Sequence, residues 1–385
     1  MREGWEYKKL GEVAQVVSGA TPKTNVDEFW GEGHYWVTPA ELNDSIVYVE
    51  RTERQITDLA LLKTKLQLLP KGTVLLSSRA PIGKVAICGV DMYCNQGFKN
   101  CICSDAIYNK YLFYFLKGKK EYLNSLGRGA TFKEISKSIV EKVIIPLPPM
   151  QEQKGIVAEL DQINDLIRLK KEQLKEYDNL AQSIFYDMFG DPVENEKDWK
   201  VKPLGEFGFL GRGVSKHRPR NAPELLGGTM PLVQTGDVAN SGMYLTKYNS
   251  TYSDLGVAQS KIWEKGTLCI TIAATIGKCA ILSFRACFPD SVVGFLCNEK
   301  VCNNVYMYFI FSCLQKILEE EAPAVAQKNI NLKKLNSLMI PLPPLPLQQE
   351  FSTRIEQIEK LKTEVQKTIT DLETLLASRM QYWFE

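Results

Sequence analysis

The sequence is written twice. "IIPLPPMQEQKGIVAEL" (Ile144 to Leu160) and "MIPLPPLPLQQEFSTRI" (Met339 to Ile355) each end an apolar run on a proline cluster and then launch a Gln-rich helical pattern. Trp5 heads "WEYKKLGEVAQVVSG" and Trp199, 194 positions later, heads "WKVKPLGEFGFLGRG". The same shift lays "KGTVLLSSRAPIGKVAI" at Lys71 on "KGTLCITIAATIGKCAI" at Lys265, and Pro146 meets Pro341 after 195. "HYWVTPAEL" with "MPLVQTGDV", "YCNQGFKNCIC" with "CFPDSVVGFLC", and "RGATFKEIS" with "AVAQKNIN" fall between these anchors in unbroken order. A chain of 385 residues is too long for one ordinary core, and a repeat on this scale makes it two like ones.

Alternating runs such as "TVLLSS" and "KVAICGV" read as strands, and "IYNKYLFYFLKGKKEYLNSL" as an amphipathic helix. Each half is therefore expected to be an α+β globule followed by a long helix. The helix starts where the prolines stop, because proline keeps the preceding chain extended and cannot donate inside a helix. In the first, a heptad runs through Ile156, Leu160, Ile163, Ile167, Lys170, Leu174, Tyr177, Ala181, Ile184 and Met188. Shifted by 195, it lands on Phe351, Ile355, Ile358, Lys362, Val365, Ile369, Leu372, Leu376, Arg379 and Trp383. The charged breaks at Lys170, Lys362 and Arg379 never coincide. An apolar stripe usually faces a core, but roughly 35 residues is long for a core helix, so the two are expected to pair as an antiparallel coiled coil. The expected order is a globule over 1–149, a helix over 150–190, a second globule over 191–344 and a second helix over 345–385. Fold class is thus α+β, with two tandem mixed-sheet domains separated by a pseudo-two-fold helical rod.

Net charge is only +2, so any nucleic-acid footprint must be local. The N-terminus lacks a signal-peptide core and no segment is apolar enough to span a membrane, which points to the cytoplasm. The ten cysteines lie in apolar runs such as "VAICG" and "LCITI", where a free thiol packs as a small hydrophobe. Zinc is disfavoured, with no paired CxxC clusters and only His34 and His217.

"APIGKV" and "ATIGKC" resemble phosphate loops only at Gly-Lys. The glycine five positions earlier and the following Ser or Thr are replaced by Ser78 and Val85, and by Ile272 and Cys279. They read as turns built on Gly83 and Gly277, from which Lys84 and Lys278 could face phosphate. No nucleophile elbow, zincin motif, dinucleotide fingerprint or methyltransferase tetrapeptide is present, and the halves share almost no acid, base or nucleophile. A catalytic repeat would keep one. Polar loops remain. "GRGVSKHRPR" gathers Arg212, Lys216, His217, Arg218 and Arg220 with no acid, while its counterpart offers Lys23. "SSRAPIGK", "NQGFKN" and "GRGATFKE" add Arg79, Asn95, Gln96, Lys99, Arg128, Thr131 and Lys133. Arg, Asn and Gln can address base edges, and Lys neutralises phosphates.

These motifs, in this order and duplicated, resemble the specificity subunit of type I restriction–modification systems over essentially the whole chain. The resemblance implies two target recognition domains reading the halves of a bipartite double-stranded DNA site. The helices would be a spacer and a docking surface for two methyltransferase subunits, to which restriction subunits add. It implies no cofactor in this chain; S-adenosylmethionine, ATP and magnesium belong to the partners. Family loops map onto Arg79, Asn95, Gln96, Thr131 and Lys133, and onto Asp290, Gln327, Lys328 and Asn329. Ala273 stands for Arg79 and Ala326 for Thr131, which implies different bases for each half and an asymmetric site. The competing reading is a coiled-coil interaction scaffold without DNA specificity. Substitution at Pro146 or Pro341 is expected to disturb half-site spacing or docking more than base preference.

Overall fold

A computed structural model describes residues 4–128, 133–217, 219–273, 276–320 and 331–385. The chain packs as two compact units, Met1–Lys171 with Lys367–Glu385, and Glu172–Gln366.

In the first unit a five-stranded sheet runs in the order Ala14–Ser18, Lys99–Cys103, Val74–Leu76, Val85–Cys88 and Tyr48–Val49. Its first four strands pair antiparallel, and Tyr48–Val49 joins parallel. The second unit repeats order and sense with Gly208–Arg212, Val292–Cys297, Leu268–Thr271, Cys279–Leu282 and Tyr244–Leu245. The central strands are buried on both faces because alternate side chains enter different cores. Val74, Leu76, Val85 and Ile87 meet the helix Asn109–Gly118, while Leu75, Ala86 and Cys88 pack with Val37, Met92 and Phe98. In the second unit Leu268, Ile270 and Ile281 meet the helix Asn304–Glu320, and Cys269, Ala280 and Leu282 face the other way onto Trp263 and Phe288.

Each unit adds a smaller sheet. It has three strands in the first unit, Gln55–Ile56, Trp30–Val37 and Tyr93–Cys94, and four in the second, ending on Ile262–Trp263. A short ribbon then pairs the unit's first strand with its proline strand, Glu6–Lys9 with Ile144–Leu147 and Val201–Pro203 with Met339–Pro341.

The long helices span Met150–Phe189 and Leu345–Phe384, 40 residues each, or about 60 Å of rise. In the second helix, Pro346 is accommodated in the first turn, where a missing N–H costs nothing. Their segments pack antiparallel within each unit. In the first, Lys171 meets Glu373 at 2.8 Å and Glu159 bonds Arg379. In the second, Asp178 meets Lys362 at 2.7 Å and Phe185 packs on Phe351 with ring centroids 5.6 Å apart.

Of the residues expected in the seam, Ile156, Leu160, Ile163, Ile167, Phe351, Ile355, Ile358, Val365 and Ile369 are buried, Ile156 and Leu160 within the core of the first unit and Phe351, Ile355 and Ile358 within that of the second. Leu174, Tyr177, Leu372 and Leu376 are half-buried. Near the end of the first helix the expectation needs correcting. Phe185, not Ile184, is fully enclosed, stacking on Phe309, while Ile184 is half-buried at the margin of that core. A strict heptad drifts against 3.6 residues per turn, and here the helix has left the seam for a globular core. The charged breaks at Lys362 and Arg379 are ion pairs. Lys362 holds Asp178 and Glu359, and Arg379 holds Glu159 while lying over Trp383.

Candidate nucleic-acid interface

In the first unit the strands deliver the singled-out loops to one place. Ser78 N–H donates to the Gly97 carbonyl at 2.7 Å, Ile135 N–H to the Ser78 carbonyl at 2.9 Å, and Ala20 N–H to the Cys94 carbonyl at 3.0 Å. The Arg79 turn, the Asn95–Lys99 turn, the Lys133–Glu134 segment and the chain leading to Lys23 therefore share an edge. Lys23, Arg79, Gln96, Arg128 and Lys133 are exposed there, and Lys84 and Asn95 are half-buried. Lys84 Nζ donates to the Pro39 carbonyl at 2.9 Å, Asn95 Oδ1 accepts from Gly97 N–H, and Thr21 donates to Gln96. Thr131 lies outside the described residues.

The Lys84 turn closes as an ordinary strand connection, with Gly83 N–H on the Ser77 carbonyl at 3.0 Å. Gly83 has φ +89°, and a Cβ there would stand 2.9 Å from Lys120 Cγ. Gly277 repeats the geometry at φ +79°, its N–H on the Thr271 carbonyl.

Lys99 departs from its expected role. It is buried, 8% exposed, because it heads an inward-facing strand, and its ammonium lies 3.3 Å from Glu134 Oε1. It is a structural cation beneath the loops rather than one offered to phosphate. Glu134 was not anticipated. It accepts from Arg79 Nε at 3.0 Å as well as from Lys99, and its backbone exchanges hydrogen bonds with Arg128. Burial opposes its ionisation, but the bonds from Arg79 and Lys99 outweigh that and hold its carboxyl below the usual carboxylate range. One signal for it existed. Where Ala273 replaces Arg79, Asn329 replaces Glu134, so cation and anion leave the second half together.

In the second unit the basic loop lies against "FPDS". Gly213 N–H donates to the Val292 carbonyl, Ile272 N–H to the Ser291 carbonyl, and Gln259 Oε1 receives the Lys216 and His217 N–H groups. Lys216, Arg220 and Lys278 are exposed, and Asp290 is half-buried with its carboxylate 2.5 Å from Arg220. Arg212 is half-buried at the end of a strand rather than in the loop. Arg218, Gln327, Lys328 and Asn329 lie outside the described residues. The two histidines sit beside carboxylates, His34 at 2.8 Å from Asp58 and His217 at 4.0 Å from Glu224.

Two aromatic and cation stacks also went unread in the sequence. The Arg54 guanidinium lies 3.6 Å over Trp30, which packs edge-on against Trp36. Lys261 lies 3.9 Å over Trp263 and 4.5 Å over Phe209. Arg54 comes from the segment before Gln55–Ile56, and Phe209 lies on a different strand from Trp263, so neither stack is complete within one stretch of sequence.

Among the described residues no helix is long and apolar enough to cross a membrane. The family model for the type I restriction modification DNA specificity domain matches twice, over residues 2–177 and 196–374. The MjaIX specificity subunit of a type I restriction enzyme from Methanocaldococcus jannaschii is 30% identical over 400 residues, covering 96% of this chain and 90% of that protein. The putative MjaX specificity subunit of the same organism is 25% identical over 93% of this chain and 88% of its own. Among solved structures, a chain from a study of complex assembly and conformational transition in a type I R-M system superposes with TM-score 0.65 at 20% identity, covering 99% and 97% of the two chains. The type I S subunit from M. genitalium gives 0.56 at 15%, covering 99% and 96%. Two matches to one family model, set on two copies of one fold, place the chain in the type I restriction–modification DNA specificity family, whose members are non-catalytic recognition subunits.

Proposed function

We propose that this chain reads a bipartite, asymmetric double-stranded DNA site, one half per unit, and brings the methyltransferase and restriction subunits of a type I complex to it. The observation that carries the reading is one fold bearing two different loop sets. Strand order and sense are repeated, yet the first unit offers Arg79 on Glu134 and Gln96 on Thr21, and the second Arg220 on Asp290 with Ala273 in the arginine's place. In this reading lysines and arginines on these loops position the duplex through phosphates, while Arg79, Asn95 and Gln96 address base edges. Thr131, Arg218, Gln327, Lys328 and Asn329, which lie outside the described residues, belong to the same loop segments in the sequence.

Two methyltransferase subunits fit a duplicated apolar surface. Leu166 and Leu180 on the first long helix are 47% exposed each, and Leu361 and Leu375, 195 positions on, are 44% and 46% exposed. The ribbons repeat the pattern, with Tyr7 and Ile144 exposed in one and Val201 and Met339 in the other. Exposed apolar residues at matching positions call for two copies of one partner surface. S-adenosylmethionine would belong to those subunits, and ATP and magnesium to the restriction subunits. The complex would work in the cytoplasm, a compartment in which ten free thiols are stable.

Methylome sequencing of a host with and without this chain tests the reading. A two-part motif with unlike halves and a fixed spacer, lost on deletion, is the expected result; an unchanged methylome or a single undivided motif would refute it.

A further inference from the structure

The two units differ at their loops and agree, bond for bond, where the long helix leaves the globule. Gln153, in the first helix, is fully buried; its Oε1 accepts from Tyr108 N–H at 2.8 Å, and its Nε2 donates to the Ala106 carbonyl at 3.0 Å and the Pro148 carbonyl at 2.9 Å. Gln348, also fully buried, accepts from Asn303 N–H at 2.9 Å and donates to the Val301 carbonyl at 3.3 Å and the Pro343 carbonyl at 2.9 Å. The Tyr111 hydroxyl donates to the Pro146 carbonyl at 2.7 Å, and the Tyr306 hydroxyl to the Pro341 carbonyl at 2.8 Å. Asn109 and Asn304 continue the path, donating to the carbonyls of Gly72 and Gly266 at 3.1 and 2.8 Å. Those glycines precede the strands that lead into the Arg79 turn and its counterpart.

Burying an amide side chain is costly unless it is bonded, and apolar packing, which has no direction, would hold a joint together without it. Hydrogen bonds prefer a narrow geometry, so two from one side chain to the loop ahead of Asn109–Gly118 or Asn304–Glu320, with a third to the proline segment, fix the angle at which the long helix leaves the globule. We infer that Gln153 and Gln348, seconded by Tyr111 and Tyr306, are positioning residues that set the direction in which each recognition unit presents its loops, and so the spacer between half-sites. This rests on the bipartite reading.

The test is the methylome of hosts whose complex carries Gln153→Met or Gln348→Met, which keep volume and remove the bonds, or the milder Tyr111→Phe or Tyr306→Phe. The expected result is unchanged bases in both half-sites, with the spacer relaxed to neighbouring lengths about one base pair longer or shorter, a 3.4 Å step along the duplex. The share of modified sites at those lengths should rise several-fold over the unmodified chain, and either joint should produce it. Should a methionine variant fail to accumulate, the tyrosine variants decide, since they keep the ring and lose one bond. Variants that melt at lower temperature but keep a single spacer would overturn the inference, as would altered bases in a half-site. An unmodified chain giving no bipartite motif would overturn the underlying reading instead.

Discussion

Arg79 and Glu134 are 55 residues apart in the chain and 3.0 Å apart in space, Nε to Oε2. Through this contact a carboxylate enters a cluster of candidate DNA-contacting cations and orders it from beneath, because its second oxygen faces the buried Lys99. Glu134→Ala should cost about 1–3 kcal/mol in urea unfolding, since it leaves a buried ammonium without its acceptor. The same variant should weaken DNA binding at one half-site and spare the other. Equal weakening of both halves would show that Glu134 does not act through Arg79.

Glu159 gives a prediction in pH. Bonds from Arg379, then from Trp383, hold its carboxyl below the usual range against the opposing effect of burial. A carboxylate with a depressed folded pKa adds stability above its unfolded value, about 4.3, and loses it as pH falls through the folded value. The melting-temperature gap between the unaltered chain and Glu159→Gln should therefore be full at pH 6 to 7 and close on acidification below about pH 4. A gap that is constant with pH would mean that the charge of Glu159 is not what stabilises the helix pair.

The repeat, the proline joints and most of the helical seam were legible because each is local. Proline bias, alternation and helical period act over a few residues and need no knowledge of the partner. Glu134 was not legible because its partners arrive from strands far along the chain. Lys99 was misplaced because a lysine inside a turn motif resembles a phosphate contact until strand pairing turns it inward. Phe185 escaped because a heptad template assumes a helix that stays in its seam.

That last correction is testable. Phe185→Ala removes a ring packed on Phe189, Phe309 and Phe351 at centroid distances of 5.3, 5.5 and 5.6 Å and should cost about 3–5 kcal/mol. Ile184→Ala, at the margin of the same core, should cost about 1–2 kcal/mol, the part of a buried isoleucine's loss that half exposure leaves. Denaturant titration of the two variants compares them directly. The reverse order would restore the strict heptad.

Burial pushes the thiols of Cys94, Cys103 and Cys279 up to about 12. At pH 8 on the order of one in ten thousand would be thiolate, the reactive form. A chromogenic disulfide reagent should therefore label these three slowly in the folded chain and fast in urea, where thiols return to about 8.5. Fast labelling in the folded state would show that these side chains open to solvent.

Lys216 and Lys278 should separate positioning from reading. Both are exposed on loops of the second unit, and a lysine that neutralises a phosphate releases a condensed cation, so the logarithm of affinity falls with the logarithm of salt by about 0.9 per contact. Lys216→Ala and Lys278→Ala should each flatten that slope by about 0.9 and weaken all duplexes alike. Gln96→Ala, in the first unit, should leave the slope unchanged and relax the preference at one position of one half-site, because an amide reads a base edge without displacing a counterion. Titrating the assembled complex with matched and single-substituted duplexes at several salt concentrations measures both quantities at once. If the lysines changed base preference and Gln96 changed the slope, the division of labour drawn here between phosphate and base contacts would be reversed.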